Sequence, residues 1–199
     1  MHYELGELPK AIQKGWFITF DEPWKTPSGI QMALQRFYER DGILQIDDMP
    51  GDLSDKQIVS DPRTRLVLSD NVVGTGDSAD MYGATMIQDG STLNRMDVVI
   101  HMPYMAPIDE LTMLKNKYPS INEKLLHNLI NFGNLLRNSY ESRDLSVAFS
   151  PRNLFAFLDL FSRTKNKELS LQMVVLNRYA DDTEKALVKD HMMTSGVRL

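Results

Sequence analysis

Apolar positions in this 199-residue chain follow two different rhythms. Through residue 102 they come as short, dense runs. These are Trp16 to Phe20, Ile43 to Ile46, Arg65 to Ser69 and Asp97 to Met102. Runs this dense, bounded by turn formers, predict strands, and the first, third and fourth predict strands buried on both faces of a parallel sheet. Thr26 and Pro27 can open a helix in which Ile30, Ala33, Leu34, Phe37 and Tyr38 recur at helical spacing until Gly42. Ile43 to Ile46 and Lys56 to Ser60 flank an Asp-Met-Pro-Gly-Asp turn and predict a hairpin. Residues 74–92 are rich in Gly, Ser, Thr and Asp and read as a loop. From Pro107 onward the period becomes helical. Helices are predicted over 107–118, 121–136, 151–164, 169–179 and 183–193, with Ser150 and Pro151 opening the third. The fold class is therefore α/β first and all-α afterwards. Pro103 and Pro107 mark the border, giving an α/β domain over 1–105 and a helical domain over 106–199.

Composition narrows the function. Apolar residues make up 42% and charged residues 25%, an ordinary globular balance. The net charge of -5 argues against a nucleic-acid binder, and Lys115, Lys117, Lys165 and Lys167 read as solvated faces. With no cysteine there is no disulfide scaffold, thiolate metal site or thiol nucleophile. No run of 18 apolar residues predicts a membrane span, and Met-His-Tyr-Glu-Leu-Gly-Glu lacks the signature of a signal peptide. A cytoplasmic location is the expectation. The four histidines show no ligand spacing, and no Gly-x-Ser-x-Gly elbow is present.

Four positions carry candidate chemistry. The first strand ends in Asp21-Glu22. Carboxylates at the carboxyl end of a parallel strand lie where α/β sheets bind ligands. Adjacent acids suit metal-assisted phosphoryl chemistry, one holding Mg²⁺ and the other activating water. Asn71 follows the next dense strand, and its amide can hold a water or a phosphate oxygen. Arg95 precedes the 97–102 run and offers a planar, permanent cation to a terminal phosphate. Arg152 adds charge at a helix start that already favours anions. Each has a bland reading in isolation: a solvated strand end, a turn Asn, two surface arginines.

The order of these features resembles the AAA+ ATPases, and the hairpin before the Asn strand points to the MoxR-like branch. Leu8-Pro9-Lys10-Ala11-Ile12-Gln13 before the first strand, Arg65 to Asn71, Met81-Tyr82-Gly83 and Leu93-Asn94-Arg95 resemble the ATPase subunit of aerobic cobaltochelatases (CobS-like). The resemblance runs from about residue 5 to 180. It implies a partial AAA+ core, with a parallel sheet lacking its phosphate-loop strand, followed by an α-helical lid. It implies ATP and Mg²⁺ as cofactors. Asp21 would hold the metal and Glu22 polarise the attacking water, as a Walker B pair. Asn71 would be sensor 1, Arg95 the arginine finger and Arg152 sensor 2. The implied partners are a homo-oligomeric ring or a complementing amino-terminal ATPase half. Chelatase or metal-binding-domain subunits would join them, with no membrane and no nucleic acid. The implied task is metal insertion into a tetrapyrrole; the alternatives are a non-catalytic ring partner and a MoxR-type chaperone.

The chain also departs from that pattern. Asp70 stands beside Asn71 where the family uses small residues, and an extra negative charge there is expected to weaken phosphate binding. Pro23-Trp24 after the acidic pair is unusual for it. Above all, no Gly-x-x-x-x-Gly-Lys-Ser/Thr string occurs in the 199 residues. The expectation is the carboxyl-terminal part of an ATPase, inactive alone, whose phosphate loop and central strand are encoded elsewhere. Its sheet should then carry unpaired backbone groups.

Overall fold

The computed structural model describes residues 4–75 and 85–197. The Met81-Tyr82-Gly83 triplet lies outside the described residues. The chain forms two compact units, residues 1–101 and 102–199.

The first unit opens with a helix that the periodicity did not predict, α1 (Glu7–Lys14). Ile12 and Pro9 supply its buried side, Glu7 and Lys14 complement the helix dipole, and Gly15 ends it in the left-handed region at φ 69°. A side chain at Gly15 would meet the Asp61 carboxylate at 2.7 Å. Strand β1 (Phe17–Asp21) follows, then a 3₁₀ turn over Pro23–Lys25 and helix α2 (Ser28–Ala33). This helix is shorter than predicted. Pro27 is its N-cap, and residues 34–41 continue as turns that still deliver Phe37 to the core.

The predicted hairpin is present: β2 (Ile43–Gln45) and β3 (Gln57–Val59) pair antiparallel. Before β4 (Arg65–Ser69), Asp61 accepts hydrogen bonds from the backbone and guanidinium of Arg63, which hold its carboxyl down at about 2. β1 and β4 then pair in parallel, with Phe17 opposite Arg65 and Asp21 opposite Ser69.

One face of that pair is covered. Ile18, Phe20 and Leu66 join Ile12, Phe37, Leu44 and Ile58 in a small core. The other face carries Phe17, Thr19 and Val67, and Phe17 is 68% exposed. The strands are thus buried on one face, not two as their density predicts. Short helix α3 (Gly90–Leu93), unpredicted, is capped by Asp89. The third core strand, expected at 97–102, is not formed. Val98, Val99 and Ile100 are all more than 70% exposed. A strand exists only where a neighbour takes up its N–H and C=O groups, and among the described residues none pairs with this run.

The second unit is helical: α4 (Pro107–Lys117), α5 (Glu123–Glu141), α6 (Pro151–Thr164), α7 (Lys167–Val174), a 3₁₀ turn at Leu176–Arg178 and α8 (Asp182–Thr194). Leu114, Leu126, Phe132, Leu136, Leu154, Leu158, Leu171 and Val188 fill a continuous core from which water is excluded. Inside it lies a charge pair that no sequence period reveals. Arg137 donates to both oxygens of Glu110, at 2.7 and 3.1 Å, with both side chains almost fully buried. Its remaining donors reach the Phe149 carbonyl at 2.9 Å and the Asn134 amide oxygen at 2.9 Å, and Tyr104 stacks 4.4 Å from the guanidinium. A buried ion pair survives only when its donors and acceptors are this fully used. Among the described residues no helix is long and apolar enough to cross a membrane.

Candidate functional site at the carboxyl edge of the parallel pair

The register of β1 against β4 decides what meets at the sheet edge. Asp21 and Ser69 end their strands side by side, and the Ser69 hydroxyl donates to Asp21 Oδ1 at 2.8 Å. Pairing runs one step further, because the Glu22 N–H donates to the Ser69 carbonyl at 2.7 Å. Glu22 then turns the chain with φ 53° and ψ 45°, a left-handed conformation that a non-glycine residue adopts only under constraint. Its carboxylate lies 2.6 Å from Lys25 Nζ. The next residue but one, Trp24, is buried.

The Asp70 carboxylate accepts from backbone donors of two loops. Oδ2 accepts from the Trp24 N–H at 3.0 Å and Oδ1 from the Asn71 N–H at 2.8 Å. Asn71 itself is exposed. Asp21, Glu22 and Asn71 therefore share one edge, contributed by two strand ends whose Asp21 and Ser69 are 48 positions apart in sequence.

Arg95 follows α3 in the same unit. Glu39 holds its Nε at 3.1 Å, the Ser91 carbonyl accepts from Nη1, and only 28% of its side chain is exposed. Gln35 fastens the same segment by donating to Ser91 at 2.9 Å and Thr92 at 2.7 Å. Arg152 belongs to the other unit. It is the second residue of α6, exposed, and among the described residues it makes no ion pair. Beside it a reciprocal capping box of Ser150 and Asn153 fixes the helix start.

Among the described residues no three His, Asp or Glu side chains gather into a cation site. The donor set still suits Mg²⁺, which takes one or two carboxylates and completes its shell with water and phosphate oxygens. Asp21 has one oxygen committed to Ser69 and the other available for that role. A separate open depression of about 660 Å³ on α4, lined by Met105, Asp109, Thr112, Met113, Asn116 and Lys117, holds no comparable pairing of groups.

Sequence reading missed Ser69, Lys25 and the latch formed by Asp70. Ser69 carried one usable signal, as the last residue of a dense strand like Asp21. The direction of the Asp70 carboxylate depends on a loop bond spanning 46 positions and left no local trace.

No protein-family model matches the chain. Among curated proteins it is similar to the aerobic cobaltochelatase subunit CobS of a Sinorhizobium species. Identity is 24% over 190 residues, covering 94% of this chain and 55% of that protein. The chain thus spans about half the length of the curated relative it matches, and the similarity supports a distant, CobS-like relationship.

Proposed function

We propose that this chain is the Walker B-to-lid part of an AAA+ ATPase of the MoxR-like branch, CobS-like in task. Residues 1–105 form its partial ATPase core and 106–199 its lid. The observation that carries this reading is the shared carboxyl edge of Asp21, Glu22 and Asn71. Asp21 would hold Mg²⁺. Glu22 takes up the proton of the attacking water once it leaves Lys25, and Asn71 orients that water. Arg95 serves the nucleotide of an adjacent subunit, after exchanging Glu39 for phosphate. Arg152 contacts phosphate from the lid. Phosphoryl transfer needs this kind of positioning and charge placement more than covalent chemistry.

The bare face with Phe17 and Val67, together with the unpaired 98–102 run, supports a second element of the reading. A complementing amino-terminal half would bring the phosphate-binding glycine loop and a strand beside β4. The assembled ring would drive metal insertion into a tetrapyrrole through chelatase or metal-binding partner subunits; a MoxR-type chaperone task is the variant of the same machine. A non-catalytic ring partner that offers Arg95 and the helical lid to a neighbouring subunit is a second reading.

The test mixes the full chain with a CobS-like amino-terminal half and follows ATP hydrolysis. Hydrolysis should appear only in the mixture, and Glu22→Gln should lower it by about 10²–10⁴-fold, the span of a lost general base. An unchanged rate removes Glu22 from its assigned role. Micromolar ATP binding by this chain alone removes the non-catalytic reading.

A further inference from the structure

Glu22 is the one residue of the proposed site whose backbone is strained, and its strain needs a cause. Left-handed backbone in a glutamate persists only where the surroundings over-determine it. Upstream, β1 fixes Asp21, and the Glu22 N–H is tied to Ser69. Downstream, the chain must be caught again within two residues. Trp24 is where this happens. Its ring is buried, its carbonyl accepts from Met86 N–H at 2.9 Å, and its N–H is held by Asp70. Gln31 adds a bond to the Pro23 carbonyl at 2.9 Å.

Of these anchors only Asp70 joins the two loops that bear the proposed chemistry. One oxygen grips the loop after β1; the other shapes the turn that carries Asn71. A carboxylate accepting from backbone N–H groups spends its charge on them, because such bonds are the stronger, charge-assisted kind. That geometry gives Asp70 a structural task beside the charge it brings to the edge.

Resting on the ATPase reading above, we propose that Asp70 is a positioning residue: a bridge from Trp24 N–H to Asn71 N–H that sets the directions of Glu22 and Asn71. It touches no substrate. Its contribution is geometric, so its loss lowers turnover and leaves nucleotide affinity nearly intact.

Two measurements on the full chain test this. The first is amide hydrogen exchange in Asp70→Ala, read by NMR. Trp24 and Asn71 should exchange about tenfold faster, the weight of a bond to a charged acceptor, while the paired amides of the β2–β3 hairpin in the same unit keep their rates. The hairpin signals report whether the α/β unit of the variant folds. If it does not, Asp70→Asn decides, since it keeps one oxygen acceptor and should lose protection at only one of the two amides. Unchanged protection of Trp24 overturns the bridge.

The second is hydrolysis in the complemented mixture. Asp70→Ala should lower kcat by about 10²-fold with KM for ATP nearly constant, the cost of a misplaced reacting group. Asp70→Asn should restore part of it. In a Glu22→Gln background the same change should cost little more, because the group being positioned is already gone. A normal kcat, or a raised KM with normal kcat, overturns the positioning role. Loss of protection with no hydrolysis in any mixture leaves the bridge standing and defeats the ATPase reading instead.

Discussion

The two units of this protein solve the same problem with unequal means. The helical unit seals a long apolar core and can afford a buried ion pair inside it. Among the described residues the α/β unit closes a smaller core, of Ile12, Ile18, Phe37, Leu44 and Ile58, under one face of a two-stranded parallel sheet. Its opposite face and residues 98–101 remain open to water. Parallel sheets are ordinarily covered on both faces, and two strands are few for independent stability. The difference teaches that burial in the helical unit closes on itself, whereas among the described residues the α/β unit leaves one sheet face bare.

Both tryptophans, Trp16 and Trp24, lie in the α/β unit, so indole fluorescence follows it alone, whereas far-ultraviolet circular dichroism is dominated by the helical unit. Glu110→Gln should have the largest effect. It leaves the Arg137 guanidinium buried without its counter-charge and should lower the stability of the helical unit by about 3–5 kcal/mol. Denaturant unfolding should show the dichroism transition moving and the fluorescence transition staying. Equal movement of both would end the contrast.

Alkaline pH should act on both units through their phenols. Burial pushes the hydroxyls of Tyr38, in the α/β unit, and Tyr179, in the helical unit, up to about 12. An unfolded phenol ionises near 10, so between pH 10 and 12 the unfolded chain gains from ionisation that the folded one is denied. The stabilisation is complete below 10 and is lost as pH climbs toward 12. Tyr179→Phe should flatten that loss in the dichroism transition alone, and Tyr38→Phe in the fluorescence transition alone.

The smallest effect on the isolated chain belongs to Val98→Lys, which alters an exposed position and should change stability by no more than about 0.5 kcal/mol. The same substitution should abolish hydrolysis in the complemented mixture. Full activity would show that this apolar run is not where the complementing half seats.

How much of this was legible beforehand follows from the range of each interaction. The helices of residues 107–194 were readable because their apolar period is local and their stops are prolines and caps, as at Ser150 and Pro151. The hairpin was readable from its turn. Strand density located β1 and β4 and put Asp21, Glu22 and Asn71 at strand ends, but density cannot tell whether a covering layer is present. That is why Phe17 and Val67 were expected inside and lie outside. Residues 97–102 failed for the same reason, since an apolar run names a potential strand and pairing makes it one. Helix α1 was legible and missed: Leu8, Ala11 and Ile12 stand at helical spacing on its packed side. Asp70 was read by its charge, while its role comes from a hydrogen bond across 46 positions.

The 48-position offset between Asp21 and Ser69 also sets an order of events during synthesis. At ribosomal speeds of roughly 5–20 residues per second, β1 waits about 2–10 s for β4 to emerge. Meanwhile the intervening hairpin can already close from local contacts. The nascent sheet is thus assembled around a finished hairpin, and the acids of β1 meet the turn carrying Asn71 only in the last step of that assembly.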